Sequence, residues 1–499
     1  MDAPVIVVGG GPVGLSLALA LARYGVRSIV LEKNRQPSAN AHAPAIWART
    51  LEHFADWGAA DALCAAGAYR SSFAVTDARS ERTILKIDFE AIDDILARTG
   101  SVMLPQFETE RVLRNALLAT GACDLRLGCE VVGIRQDADA VEVHVVSSEA
   151  PSTLRAAFVA GCDGVHSTVR TTLGIPVEGA SYGTRAIVGD DVIAWEGDRG
   201  EPAVRLATDF PTFLAAVRLA PGVWRTIAGV PRELDDAVAL SDELHVLRLQ
   251  ALFGPSIAPI ASHRQLYAVE RHRAKQFVSG RVALAGDAAH VFSPIGAEGL
   301  NAGILDAANL AWKLAYAVQR RGDPMRLLAS YDAERSAALT ESVDRVNEKL
   351  AAFTTKSGRF SRRAAIAFAK RALRGRGMQR KAARALGMLS VRYTKSPIVD
   401  SRHPLAGRRI DDLLLTDGRR INEIRSGRAI VVGVGSSPLV ERADVRVQRA
   451  PKRWCIKRSA LLIVRPDGIV AAVVEKPTLA KLSAAWKTAF AGEELPAGA

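Results

Sequence analysis

Three carboxylates follow short apolar runs: Glu32 after Ser28–Leu31, Asp163 after Phe158–Gly161, and Asp287 after Val282–Ala285. Each run is short enough for a buried strand. A carboxylate at a strand's carboxyl end can accept hydrogen bonds from a polyol. In open α/β sheets that edge is where ligands bind, because helices begin there. Asp287 is followed by a loop holding Pro294, Gly296 and Gly299, and then by apolar residues at helical spacing (Leu300, Ile304, Leu305, Ala308, Leu314). A helix amino end offers unpaired N–H groups and a positive dipole end to an anion. Gly296 and Gly299 let the backbone approach a flat or anionic ligand closely. An ordinary strand–loop–helix satisfies the same pattern taken alone.

The elements around these residues sharpen the reading. Val5–Val8 reads as a strand, Gly9, Gly11 and Gly14 form G-x-G-x-x-G, and a helix is predicted over Leu15–Tyr24. Glu32 then stands 18 residues after Gly14. Strand, glycines, helix, strand and acid in that order predict a dinucleotide site, with phosphates on the helix end and a ribose diol on Glu32. Such an acid would repel a 2′-phosphate. Arg49 in Arg49-Thr50-x-Glu52 and Gln106 in Gln106-x-x-x-Glu110 open helical stretches, and each could reach a cofactor. A surface guanidinium and a capping amide fit them equally well. Leu125–Leu127, Val131–Arg135 and Val141–Val146 read as strands. From Ile175 to about Glu270 the pattern changes to short β-like runs with Phe210, Phe213 and Trp224, as in an antiparallel sheet. A parallel-sheet domain interrupted by such a sheet places the second sheet as a lid over the ligand. From Pro404 a compact α/β module follows, with strands at Val431–Val434, Val445–Val447 and Leu461–Val464. The resulting domains are 1–174, 175–270, 271–399 and 400–499.

The 499 residues suit two or three domains, and 48% hydrophobic residues can bury large cores. No apolar run reaches the length of a membrane span, and the amino terminus has no positively charged leader pattern. Five cysteines without a CxxC pair predict a reducing, cytoplasmic setting, with neither disulfides nor a metal site. His290 lacks ligand spacing and reads as a structural part of its loop. The net charge of +13 is local: residues 356–395 hold 13 of the 66 bases and no acid, leaving 53 bases against 53 acids elsewhere. That distribution argues against nucleic acid as a partner. The basic stretch reads as two short amphipathic helices broken near Gly375–Gly377, a solvated hairpin packed on the protein rather than a membrane contact.

Taken together, VVGGGPVG with Glu32, CDGVHSTVR at Cys162–Arg170, and GDAAHVFSPIGAEGLNAGILDAANLAWKL from Gly286 resemble the class A flavoprotein aromatic hydroxylases of the para-hydroxybenzoate hydroxylase fold. The resemblance is specific over about residues 3–175 and 270–345. The middle sheet matches in position and pattern alone, and the carboxyl-terminal region resembles the thioredoxin-like domain of the phenol hydroxylase branch. Without a CxxC, Cys455 cannot supply dithiol chemistry. The implied fold class is α/β: a Rossmann-like FAD-binding domain interrupted by an antiparallel β-sheet substrate domain, plus a thioredoxin-like domain.

The resemblance further implies that Gly9, Gly11, Gly14 and Glu32 hold the adenosine half of FAD. Arg49 and Gln106 would contact its phosphate and ribitol region, and Asp163 and Gly164 would lie near the cofactor and the nicotinamide route. Asp287 would bind the ribitol, while Pro294, Gly296, Gly299, Leu300 and Asn301 border the flavin ring. Pro294, Phe210, Phe213 and Trp224 would face the substrate. The family commonly carries Gly-Gly-Gln-Gly where this chain has Gly296-Ala297-Glu298-Gly299, which puts the fine geometry at the flavin edge in question. Implied chemistry is flavin-borne, with no catalytic side chain. NADH or NADPH reduces FAD, O2 adds to give a C4a-hydroperoxide, and one hydroxyl passes to a small aromatic substrate. A same-fold halogenase or reductase, or a non-catalytic flavin-binding protein, is the alternative. A homodimer is left open.

Overall fold

The computed structural model describes residues 1–36, 44–148, 150–197, 204–292, 298–339, 367, 370–447 and 450–496. Strand β1 (Ala3–Val8) is apolar on both faces and lies mid-sheet, as a parallel strand covered by helices must. Helix α1 (Pro12–Arg23) leads to β2 (Ser28–Glu32), and Pro12 at its first turn has no N–H to leave unsatisfied. Helices α2 (Ala48–Asp56) and α3 (Gln106–Leu118) flank the hairpin β3–β4 (Ser72–Asp77, Thr83–Asp88) in the chain. Strands β5 (Cys123–Leu127), β6 (Glu130–Gln136), β7 (Val141–Val146) and β8 (Ser152–Gly161) follow. After a second, mostly antiparallel set, β9 (Val177–Val192), β10 (Val204–Leu206), β11 (Leu214–Ala220) and β12 (Val223–Val230), come α4 (Asp242–Phe253) and β13 (Ala261–Ala274). Strand β14 (Val282–Leu284) then returns to the first sheet. Its parallel core has the order β14-β8-β1-β2-β5, so the chain leaves β1 for β2 on one side and pairs β8 on the other. The carboxyl end of β1 is therefore the point where strand order reverses, where a crevice opens.

The second sheet runs β13-β9-β12-β11-β10-β3-β4, with His290–Val291 at its other edge. Residues 72–88 thus complete it, although the sequence reading assigned them to the first domain segment. Strand β3 enters by parallel pairing with β10, more than a hundred residues away, and such pairing leaves no local pattern to read. Alternation divides this sheet into two faces. Leu214, Ala216, Trp224 and Ala228 pack with Leu249 and Phe253 of α4, whereas Ala215, Val217, Arg225 and Ile227 face the first domain.

Helices α5 (Gly299–Val318) and α6 (Pro324–Ala338) cover the first sheet. Helix α7 (Arg376–Leu386) is the second of the helices expected in the basic stretch. It packs on β4 and the turn after it, with Gln379 Nε2 donating to Lys86 O at 2.9 Å and Arg380 paired to Asp94 at 2.5 Å. Of the first of the two helices expected there, residues 367 and 370–372 are helical and the rest lies outside the described residues. The carboxyl-terminal sheet, β15 (Ile430–Val434), β16 (Val445–Val447), β17 (Ala460–Val464) and β18 (Val470–Glu475), is mixed in order β16-β15-β17-β18, with helix α8 (Leu479–Ala489) following it.

Candidate active site

Four strand ends converge at the crevice. Gly9 N–H donates to Leu31 O at 2.8 Å, Cys162 N–H to Val8 O at 2.7 Å, and Ala285 N–H to Gly161 O at 2.9 Å. Gly9 has φ +106°, and a Cβ there would lie 2.3 Å from Cys162 O. A Cβ on Gly14 would lie 2.0 Å from Gly9 O, so Gly14 lets α1 close on the strand. Gly11 differs. Its φ is −75°, and a Cβ there would meet nothing within 4 Å. Among the described residues nothing fills the space beside Gly11, so its backbone is open to a ligand. Glu32 Oε2 accepts the Gly10 N–H at 2.7 Å, and Oε1 accepts the Asn34 main-chain and side-chain N–H groups, each at 2.8 Å. Gly9, Gly11, Glu32 and Asn34 line a cleft of about 290 Å³ with Gln106, Asp163 and Gly164, whereas Gly14 does not reach it.

Gly11, Gln106, Cys162 and Gly164 also line a second, larger cavity of about 740 Å³. Asp287, Gly299 and Leu300 stand on its first-domain side, and Phe73, Ile87, Val188, Phe213, Val217 and Ile227 stand on the sheet side. Asp287 opens onto it with protein on its other sides. That burial raises its carboxyl above the usual range, with His290 opposing and Asp306 adding. His290 is buried, and its Nε2–H donates to Asp306 at 2.5 Å, which also accepts Gly286 N–H at 3.0 Å. It holds the turn, as the sequence suggests. On the sheet side Arg225 pairs with Asp190 through Nε and Nη2, both at 2.7 Å, and His272 pairs with Glu270 at 2.6 Å. Among the described residues no cluster could hold a metal ion.

The cleft and the cavity meet at Gly11, Gln106, Cys162 and Gly164, beside the glycine turn and Glu32. Residues 2–346 match the FAD binding domain family. The chain is 31% identical to the rifampicin monooxygenase of Streptomyces venezuelae over 98% of this chain and 99% of that one. It belongs to the FAD-dependent aromatic monooxygenases. The monooxygenase is also 31% identical to the 12-dehydrotetracycline 5-monooxygenase/anhydrotetracycline 6-monooxygenase of Streptomyces rimosus, over 93% of this chain and 94% of that one. The OxyS anhydrotetracycline hydroxylase from Streptomyces rimosus shares its fold at a TM-score of 0.79 and 28% identity, over 99% of this chain and 100% of that one. The open backbone at Gly11 and the carboxylate at Glu32 fit FAD.

Not every residue expected at the cofactor of the monooxygenase is there. Arg49 is a correction: it points into the junction with the carboxyl-terminal domain, pairing with Glu52 and donating to Asp467 O at 2.6 Å. A buried guanidinium goes where carboxylates and free carbonyls are, and here those lie behind α2. Asn301 is another. Its side chain donates to Ala45 O and accepts from Trp47 N–H, both at 2.8 Å, tying that segment to α5. Asp163 lines the cleft, but its carboxylate is taken by Ser167 Oγ–H at 2.6 Å and Val169 N–H at 3.0 Å. Of the three aromatics assigned to the substrate, Phe213 lines the cavity, whereas Phe210 and Trp224 pack in the α4 core. Trp224 precedes Arg225 on one strand, and neighbours on a strand face opposite ways. Pro294 and Gly296 lie outside the described residues. Trp47, Met103, Arg225 and Tyr267 also line the cavity and went unread. Arg225 and Ile227 were legible from the alternation of β12, had its face been known.

Proposed function

We propose that the monooxygenase hydroxylates a flat, multi-ring phenolic compound, with NADH or NADPH as reductant and O2 as oxidant, in the cytoplasm. The 740 Å³ cavity carries this reading, because its apolar sheet-side wall (Phe73, Ile87, Val188, Phe213, Val217, Ile227) lies across one space from the residues assigned to the flavin, where a ring compound would sit. The relatives named for rifampicin and anhydrotetracycline support the same substrate class. Bound FAD, once reduced, would activate O2 and deliver one oxygen atom to the ring. The protein's part is to bind, orient and keep water out. The apolar side chains of β3, β11 and β12 exclude water from the ring's face. Arg225 gives Nε–H and one Nη2 N–H to Asp190, and its other guanidinium N–H groups are the donors we assign to a phenolate or carbonyl oxygen of the substrate. The decisive experiment is turnover of a panel of phenols under labelled dioxygen. One labelled atom is expected in a multi-ring product and the other in water. Product oxygen drawn from labelled water would overturn the reading, and halide-dependent product would replace it with halogenation.

Two variants test the assignments. Asp287→Ala should remove a charge-assisted hydrogen bond to the ribitol, worth about 1.5–3 kcal/mol, and so weaken FAD binding tenfold or more. Titration of apoprotein with FAD checks it, and equal affinities would count against the placement. Arg225→Met should keep FAD but lower kcat/KM on a multi-ring phenol by about ten- to a hundredfold, from the loss of one charged hydrogen bond. Unchanged steady-state kinetics would move substrate recognition elsewhere on the wall.

A further inference from the structure

Glu298 is used by nothing described so far. It stands at the amino end of α5, lines the cavity beside Gly299 and Leu300, and is 7% exposed. Its Oε2 is buried and, among the described residues, has no hydrogen-bond partner. A buried carboxylate without a partner is costly when charged. The charged and titratable groups facing the same space do not relieve it. The turn after β14 brings Asp287, backed by His290 and Asp306, which bind each other. Strand β13 brings Glu270 and His272, likewise paired, together with the phenol of Tyr267, and β12 brings Arg225, engaged by Asp190. Pro44, Ala45 and Trp47, Gln106 of α3 and Leu386 of α7 carry no charge, and Ser293–Ala297 contains no titratable residue. Burial alone pushes the Glu298 carboxyl up to about 7. The first turn of α5 meanwhile has N–H groups with no intrahelical acceptor and a positive dipole end, and it lines the cavity.

We propose that Glu298 is a positioning residue whose protonation sets how well the cavity holds FAD. Protonated, it leaves the amino end of α5 free for the electron-rich edge of the ring and can itself donate a hydrogen bond. Ionised, it competes for that end and places a negative charge against the ring. The proposal rests on FAD occupying the cavity. It assigns a role to the glutamate that stands where the flavoprotein hydroxylase pattern has a neutral glutamine.

The test is FAD binding to apoprotein, followed by flavin fluorescence, for the unmodified chain, Glu298→Gln and Glu298→Ala. If FAD binding shifts the glutamate's titration by one unit, the unmodified chain's dissociation constant rises about tenfold between roughly pH 5.5 and 8.5. Both variants should bind with a nearly flat pH profile, and Glu298→Gln should match the unmodified chain at the acid end. Melting of the apoproteins gives a readout without cofactor. The folded chain keeps a proton on Glu298 that the unfolded chain releases near pH 4.3. Stability relative to Glu298→Gln is therefore full below that value and is lost as pH rises through about 7. Parallel binding and melting profiles in all three proteins would overturn the proposal while leaving FAD in place. An unmodified chain that binds no FAD at any pH would overturn the cofactor reading and the proposal together.

Discussion

Gly9→Ala is expected to yield a chain that melts early and carries no FAD. The residue holds φ +106°, a conformation that costs a residue with a Cβ about 1–3 kcal/mol. The added methyl would also lie 2.3 Å from Cys162 O, a main-chain atom fixed by the hydrogen bond from Cys162 N–H to Val8 O. Displacing one strand end from another adds about 1–3 kcal/mol of overpacking. The loss falls on the crevice itself, because Gly9 bonds to Leu31 of β2 and lies against Cys162, the residue after β8. Gly11→Ala separates the two consequences. Its backbone is one that alanine adopts freely, and the methyl meets no protein atom within 4 Å. It should fold and melt like the unmodified chain yet bind FAD weakly, since only the ligand collides with it. Thermal melting and bound-flavin absorbance of the two variants decide the matter. A Gly11→Ala chain that binds FAD as tightly as the unmodified one would remove the argument that the cofactor's closeness explains this glycine.

What the sequence made legible was local. Strand ends, the spacing of Gly9, Gly11 and Gly14, and the acid at Glu32 are set by a few neighbouring residues, and the structure brings Gly9, Glu32, Asp163 and Asp287 to one edge. What stayed hidden depends on distant partners. Arg49 was expected near the phosphate and ribitol region because of the resemblance, while its place at a helix start fitted a surface guanidinium equally well. The acceptors that take it, Glu52 and Asp467 O, include one supplied by a domain more than four hundred residues on. Asn301 looked like a flavin contact because of its motif, and its side chain instead fastens Ala45–Trp47. Trp224 and Phe210 were chosen as aromatics in a lid, and aromaticity does not say which face of a strand a residue occupies. The hairpin of residues 72–88 completes the sheet from a place where no pattern announces it. Glu298 was visible as a departure from the family's usual residue, but that no cation among the described residues pairs with it could be seen only in the fold.

Glu334→Ala should be the most damaging substitution away from the cofactor. Glu334 on α6 accepts from Arg465 Nη1 and Nη2 at 2.5 and 2.9 Å, Lys313 Nζ at 2.9 Å, and Asn309 Nδ2 and Ser396 Oγ, both at 2.6 Å. Arg465 follows β17 of the carboxyl-terminal domain, while Lys313 and Asn309 belong to α5. One carboxylate therefore fastens that domain to the helix whose other end lines the cavity. Burial by itself would raise the Glu334 carboxyl, but Arg465 and then Lys313 overcome this and hold it well below the usual range. The Lys313 ammonium is pushed down to about 8 by the same burial, with Glu334 opposing and Arg465 adding to the lowering. Removing the carboxylate leaves the buried Lys313 without its ion partner and takes two hydrogen bonds from Arg465, which keeps its pairing with Asp467; breaking a buried pair in this way costs about 3–5 kcal/mol. The pH dependence has a definite sign. Because the folded value is depressed, the contribution is present above the unfolded value of about 4.3 and lost as pH falls through the folded one. Denaturant unfolding should therefore separate Glu334→Ala from the unmodified chain widely at neutral pH and less in acid. Loosening of the α5 anchor should also make FAD easier to remove by dialysis. Equal unfolding midpoints at neutral pH would mean that the carboxyl-terminal domain is held by its apolar contacts and that this buried cluster adds nothing net.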